Sequence, residues 1–189
     1  MMEFAFQASA FFIPRFGYLV CFGNYLHEYE EKCSHDQDGN YNNAYSTQTA
    51  NGNYAEQNQK SRSNSWRPNN ANIFQYSNNH ESLHNQNGGS NDATSIQYGG
   101  TGNTVVSNES NLNNGQQYFG HNDSFTSQFG SDNLACIEQS AAKGGNYSDI
   151  YQNGNKNEAN VDQTDLFWGT NDSYILQKGN SNEACVTQL

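Results

Sequence analysis

The sequence predicts an all-β fold, a β-solenoid of five to six stacked strand-turn-strand rungs with cross-β character. Three observations carry that expectation. An eighteen-residue segment recurs with its key residues at fixed offsets. Within each half of the segment the recurring residues alternate, as side chains on one face of a strand do. The composition also rules out a conventional core. Only 33% of residues are hydrophobic and 14% charged, and Asn, Gln, Gly, Ser and Tyr make up the difference. Such a chain cannot offset its conformational entropy with aliphatic burial alone. It must bury amides in an array that satisfies them, or stay disordered. Fixed offsets argue against disorder.

The elements follow in chain order. Residues 4–22 are aromatic and apolar, but Gln7, Pro14 and Arg15 interrupt them as they would not a membrane-spanning helix. They read as a secretory segment, with Ala8-Ser9-Ala10 in the small-x-small form of a cleavage site. Glu3 stands where such a segment carries basic residues, which a mis-called start codon would explain. Residues 27–38 are charged and read as a linker, so 1–41 is assigned as a signal or linker segment and 42–189 as the repeat array.

The repeat is plainest in residues 122–139, 146–163 and 171–188, aligned on Gln128, Gln152 and Gln177 at spacings of 24 and 25 residues. All three read N-x5-Q-x-G-x2-N-x-A-x3-Q without insertion or deletion. The fixed positions are Asn122, Gln128, Gly130, Asn133, Ala135 and Gln139 in the first copy. They are Asn146, Gln152, Gly154, Asn157, Ala159 and Gln163 in the second, then Asn171, Gln177, Gly179, Asn182, Ala184 and Gln188 in the third. Upstream, residues 42–59 keep Asn42, Gln48, Asn53, Ala55 and Gln59, with Ala50 in the glycine place. Residues 69–86 keep Asn69, Gln75 and Gln86, with His80 and Ser82 in the Asn and Ala places. Gln86, Gly88, Asn91, Ala93 and Gln97 fit the second part of the pattern without a gap, whereas a frame over 91–109 needs one inserted residue. The framing of 86–109 is therefore ambiguous, and 111–117 is a candidate extra strand.

Each repeat is thus read as two short strands joined by a turn that tolerates positive φ, such as Gly154-Asn155-Lys156. One face carries two small or aliphatic residues flanked by amides. Stacked at about 4.7–4.8 Å, identical amides can hydrogen-bond one another above and below. A lone buried amide costs about 1–3 kcal/mol, and a ladder of them satisfies itself. The other face carries Asp123, Phe125, Tyr147, Asp149, Tyr151, Asp172, Tyr174 and Leu176, aromatics with acids that repel between rungs. Cys136 and Cys185 share an outward position two rungs apart, about 9.6 Å, beyond disulfide reach.

Other chemistries find no support in the sequence. With 8 Lys+Arg against 19 Asp+Glu, the net charge of −11 disfavours nucleic acid or an anionic membrane as partner. No pair among Cys21, Cys33, Cys136 and Cys185 has C-x-x-C spacing. His27, His35 and His121 are scattered. His80 and His84 fall on the inward strand face and read as degenerate repeat filling, not metal ligands. No catalytic triad signature is present, and Gly99-Gly100-Thr101-Gly102 lacks the Lys of a phosphate loop. No enzyme activity, cofactor or metal is expected. The alternative class, a monomeric β-solenoid that binds ice or a polysaccharide, would show a regular Thr array outward, and the outward positions are mixed.

The pattern resembles the curlin repeat, S-x5-Q-x-G-x-G-N-x-A-x3-Q, of the subunits of bacterial curli fibres. The resemblance spans residues 42–188 and is tightest from Asn122. Two departures are an Asn for the leading Ser, and Asp132, Lys156 and Ser181 for the second Gly, which predicts a stiffer or differently shaped turn. The resemblance implies a secreted protein that polymerises into an extracellular amyloid fibre of the biofilm matrix, as a major or nucleator-type subunit. It implies identical subunits, a nucleator or major-subunit partner and an outer-membrane secretion pore as partners. It also implies that the terminal-repeat amides, here Gln48, Asn53 and Gln59 and then Gln177, Asn182 and Gln188, matter most for assembly.

Overall fold

A computed structural model describes residues 18–23, 32–38, 42–60, 68–111 and 120–189. The described residues form fourteen strands in two parallel sheets of seven. In chain order the strands are β1 (Tyr18–Gly23), β2 (Lys32–Asp38), β3 (Asn42–Gln48), β4 (Tyr54–Lys60), β5 (Asn69–Gln75), β6 (Glu81–Asn87) and β7 (Asn91–Tyr98). They continue as β8 (Thr104–Asn111), β9 (His121–Phe129), β10 (Leu134–Ala141), β11 (Gly145–Asn153), β12 (Glu158–Asp165), β13 (Thr170–Lys178) and β14 (Glu183–Gln188). Odd strands stack in one sheet and even strands in the other. Each odd–even pair is one rung, so the chain winds as a parallel β-solenoid.

The register keeps like residues in columns. Asn122, Ser124 and Gln128 pair with Asn146, Ser148 and Gln152, and these with Asn171, Ser173 and Gln177. Ala135, Ile137 and Gln139 pair with Ala159, Val161 and Gln163, and then with Ala184, Val186 and Gln188. Alternation follows as expected, with inward residues buried and outward ones partly or fully exposed.

The interior is thin. Its apolar cluster is Val105, Ala135, Ile137, Ile150, Ala159, Val161 and Ile175, all toward the C-terminal half. Further back the same columns hold Ser46, Gln57, His84, Ser95 and Ser107 with Ile73 between Ser46 and Ser95, all buried. Ser82 and Ser95 meet across the sheets at 2.7 Å, and Ser107 and Ser124 at 2.9 Å. The small side chains let the two sheets approach, and hydroxyl contacts replace the aliphatic ones.

The turns stack as well. Gly130, Gly154 and Gly179 lie at positive φ, and a Cβ on Gly154 would sit 1.8 Å from the Gly179 carbonyl oxygen. The column therefore needs glycine both for conformation and for close approach. Asp132, Lys156 and Ser181 also adopt left-handed φ of 56°, 56° and 57°. Left-handed φ at these non-glycine residues places strain in the turn.

The structure bears on three sequence expectations. Residues 27–38, read as a linker, contain the strand β2, and β1 overlaps the end of 4–22. The first seventeen residues, including Ala8-Ser9-Ala10, lie outside the described residues. The frame of 86–109 is also settled by register. Asn91, Ala93 and Gln97 belong to a first strand, because β7 pairs with β9 through Asn91↔Asn122 and Gln97↔Gln128. Gly88, at φ 103°, lies in the connection between rungs instead of within one. The extra residue sits in the Gly99–Gly102 turn, and the second strand closes on Glu109. Finally, β8 ends at Asn111, and the rest of the 111–117 candidate lies outside the described residues. From Asn42 there are six rungs, within the expected count, and β1 with β2 adds another.

Candidate functional site

Four amide columns run along the solenoid. At the start of the odd strands each Asn side chain donates Nδ2–H to the Oδ1 of the rung before. The distances are 3.1 Å for Asn69 to Asn42, 3.1 Å for Asn91 to Asn69, 2.9 Å for Asn122 to Asn91, 3.0 Å for Asn146 to Asn122 and 3.0 Å for Asn171 to Asn146. At the end of those strands the polarity reverses. Gln48, Gln75, Gln97, Gln128 and Gln152 each donate Nε2–H to the Gln Oε1 of the rung after, over 2.9–3.1 Å, ending on Gln177.

The even strands repeat the scheme. Asn133, Asn157 and Asn182 donate back to Asn103, Asn133 and Asn157 at 3.1, 3.0 and 2.8 Å. Gln37, Gln59 and Gln86 donate forward to Gln59, Gln86 and Glu109, and Gln139 and Gln163 to Gln163 and Gln188.

From Gln48 to Gln188 each ladder Gln also uses an N–H to tie the two sheets. Gln152 reaches the Leu134 carbonyl at 2.9 Å and Gln163 the Tyr147 carbonyl at 3.0 Å. Each amide thus satisfies most of its capacity only when rungs lie on both sides and the opposite strand is in place. That answers how so polar a chain tolerates burial.

The predicted stacking residues Gln48, Asn53, Gln59, Gln86, Asn91, Ala93 and Gln97, with Asn122, Gln128, Asn133, Ala135, Gln139, Asn146, Gln152, Asn157, Ala159, Gln163 and Gln177, are all buried. Asn171, Asn182, Ala184 and Gln188 are only half-buried, because they lie on the last described rung, β13 with β14. Gly130, Gly154 and Gly179 hold the turns between the strands of a rung, and Gly88 a turn between rungs.

Two columns contain substitutions. His80 replaces an Asn, accepting from the Asn103 backbone N–H through Nδ1 at 3.3 Å and donating its own backbone N–H to Asn53 Oδ1. Burial pushes His80 down to about 4 and His84 to about 3. Both lie inward, as the repeat phase predicted. Among the described residues no cluster of three His, Cys, Asp or Glu side chains could hold a metal ion.

Glu109 is the substitution that the sequence reading did not single out. It occupies a Gln place, is fully buried, and accepts from Gln86 Nε2 at 2.9 Å and from the Ser124 hydroxyl. Burial holds its carboxyl well above the usual range, with Asp92 and Asp123 adding to the shift. Its neighbour Gln139 has a buried Oε1 without a partner. The one sequence signal was a Glu at the closing position of the gapped 91–109 frame.

On the outward face Asp92 pairs directly with Asp123, whose carboxyl is raised mainly by burial, while the next positions are Tyr147 and Asp172. Aromatics pack between acids, as in Phe125–Tyr151 and Tyr151–Tyr174 at 5.4 and 5.6 Å. Cys136 and Cys185 are free and separated by Asn160 in their column.

Fold and ladders define the class: a parallel β-solenoid repeat protein whose rungs are joined by buried Asn and Gln columns. No family model, curated protein or solved structure matches the chain.

Proposed function

We propose that this chain is a non-enzymatic structural subunit of an extracellular, curli-type functional amyloid fibre in a biofilm matrix, assembling by stacking rungs of one copy on another. The observation that carries this reading is the last rung, β13 with β14. Asn171, Gln177, Asn182 and Gln188 each have a ladder partner on one side only. In the rung below, the equivalent amides are fully buried and bonded on both sides. Since Glu158 N–H donates to the Asn182 carbonyl, strand parity turns the backbone groups of Glu183, Cys185 and Thr187 to the free edge. Such an edge is a template for another chain.

The curlin-like repeat supplies the remainder of the proposal: export through an outer-membrane pore and a nucleator or major-subunit partner. The test is polymerisation of the purified full chain at micromolar concentration. The expected result is growth after a lag into fibres with a meridional reflection at about 4.7–4.8 Å. A protein that stays monomeric for days would overturn the reading.

A further inference from the structure

We propose that the N-terminal rung, β1 with β2, is a detachable cap that closes the edge of β3 and β4 and keeps that end from stacking until it is displaced. The inference rests on the assembly reading above.

The cap pairs by backbone with β3 and β4 and meets the interior through His35, 2.7 Å from the Ser46 hydroxyl, but it continues the ladders only in part. In register, Gly23 stands opposite Gln48, so the odd-strand Gln column ends there. Among the described residues, the column through Gln37 and Gln59 is the one with a ladder bond into the cap, at 2.9 Å. Asn42 turns its Nδ2–H groups to the backbone carbonyls of Asp38 and Gln59, and Gln48 donates to the Lys32 carbonyl at 3.1 Å.

Asn53 is the decisive residue. Its side chain is 1% exposed, yet its Nδ2 has no acceptor. In the regular rungs that group donates to the Asn Oδ1 of the rung before, as Asn157 does to Asn133. The edge of β3 and β4 is therefore built to sit on a rung that offers an Asn there, whereas the sequence has Glu31 at the corresponding place, outside the described residues.

The opposite end of the molecule offers it. Donor directions show that the last rung presents Asn171 and Asn182 Oδ1 as acceptors and Gln177 and Gln188 Nε2 as donors on its free side. A second copy seated through β3 and β4 would match in all four columns. Asn42 and Asn53 would donate to Asn171 and Asn182, while Gln48 and Gln59 would accept from Gln177 and Gln188. The cap itself presents a polar terminal strand, with Lys32, Asp36 and Asp38 exposed, as terminal repeats of solenoids do.

Two full-length variants test this in opposite directions. Lys32 N–H donates to the Asn53 carbonyl at 2.9 Å, so by strand parity Ser34 N–H also faces β4, and Ser34→Pro removes a ladder bond. Gly23→Gln places an amide opposite Gln48 and tightens the cap. The readouts are the lag of unseeded polymerisation and native-state hydrogen exchange. We expect Ser34→Pro to shorten the lag about fivefold, the factor one backbone hydrogen bond makes in the open population, and Gly23→Gln to lengthen it. We also expect amides joining β2 to β4 to exchange through an opening that leaves β11 and β12 protected. Equal lags in all three proteins, or a change in the same direction, would overturn the cap while leaving assembly intact. If none polymerises, the assembly reading fails and exchange alone decides: β2 amides as protected as those of β11 and β12 would overturn the cap.

Discussion

Replacing Glu109 with Gln should stabilise the solenoid at neutral pH and do nothing at acid pH. Glu109 lies between Gln86 and Gln139 in the even-strand Gln column, fully buried. A Gln there can accept from Gln86 through Oε1 and donate Nε2–H to the orphaned Oε1 of Gln139. Satisfying one buried acceptor is worth about 1–3 kcal/mol, and since protonated Glu109 can donate its O–H to the same acceptor, the gain belongs to the pH range where Glu109 would ionise. Burial raises the Glu109 carboxyl, so the folded state binds this proton more tightly than the unfolded state does. The native contribution of Glu109 is therefore complete below its unfolded value and is lost as pH rises through the folded one. Protonation is always open to the chain, so the penalty at pH 7 has a ceiling of about 3.7 kcal/mol, from an unfolded value of about 4.3 and 1.36 kcal/mol per pH unit. At this chain length each kcal/mol moves Tm by about 2–4 °C. The assay is thermal unfolding of monomeric wild type and Glu109→Gln across a range of pH. A gain near pH 8 that vanishes near pH 4 is expected. An equal difference at both pH values, or a less stable variant, would refute the reasoning.

His84 works in the opposite sense. It is buried neutral at about 3, so its contribution is present above the unfolded value near 6.5 and is lost as pH falls, by about 2 kcal/mol at pH 5. His84→Val should flatten the acid limb of the stability–pH curve measured by denaturant unfolding. Gly154→Ala should cost more than about 2 kcal/mol, because φ is +135° and the new Cβ would meet the Gly179 carbonyl. Lys156→Gly should gain about 1 kcal/mol by relieving its left-handed φ, and both are read by thermal unfolding. Exposed Cys185 should react with a maleimide before Cys136, whose thiol is half-buried and pushed up by burial and Glu158. Peptide mapping of the monomer should show no Cys136–Cys185 link.

The ladders were legible in the sequence because their chemistry is repetitive. Asn at the head and Gln at the foot of each strand recur at offsets that no loop could keep, and the alternation between them gives the inward face directly. Phasing was harder, for a structural reason. The two strands of a rung present nearly equivalent inner faces, Asn-x-Ala or Asn-x-Ser followed by Gln. Asn91, Ala93 and Gln97 therefore fit either half, and only the register with Asn122 and Gln128 chooses. The insertion in the Gly99–Gly102 turn, Val105 in an Ala place and Glu109 in a Gln place hid the strand that follows. The strand β2 carries one amide in register, Gln37, and owes its place to backbone pairing with β4 together with the Gln37–Gln59 and His35–Ser46 contacts, which composition does not reveal. The unpartnered atoms of Asn53 and Gln139 could be found only once neighbours were placed around them.

The central claim is that stacking is specified by the amide columns more than by the apolar core. Seeded elongation by the Gln177→Leu/Gln188→Leu double variant tests it, with circular dichroism to show that the strands persist. These residues offer the two forward donors of the last rung, and at about 1 kcal/mol each their loss should raise the critical concentration about thirtyfold. Elongation by the folded double variant at the wild-type rate and critical concentration would contradict the account.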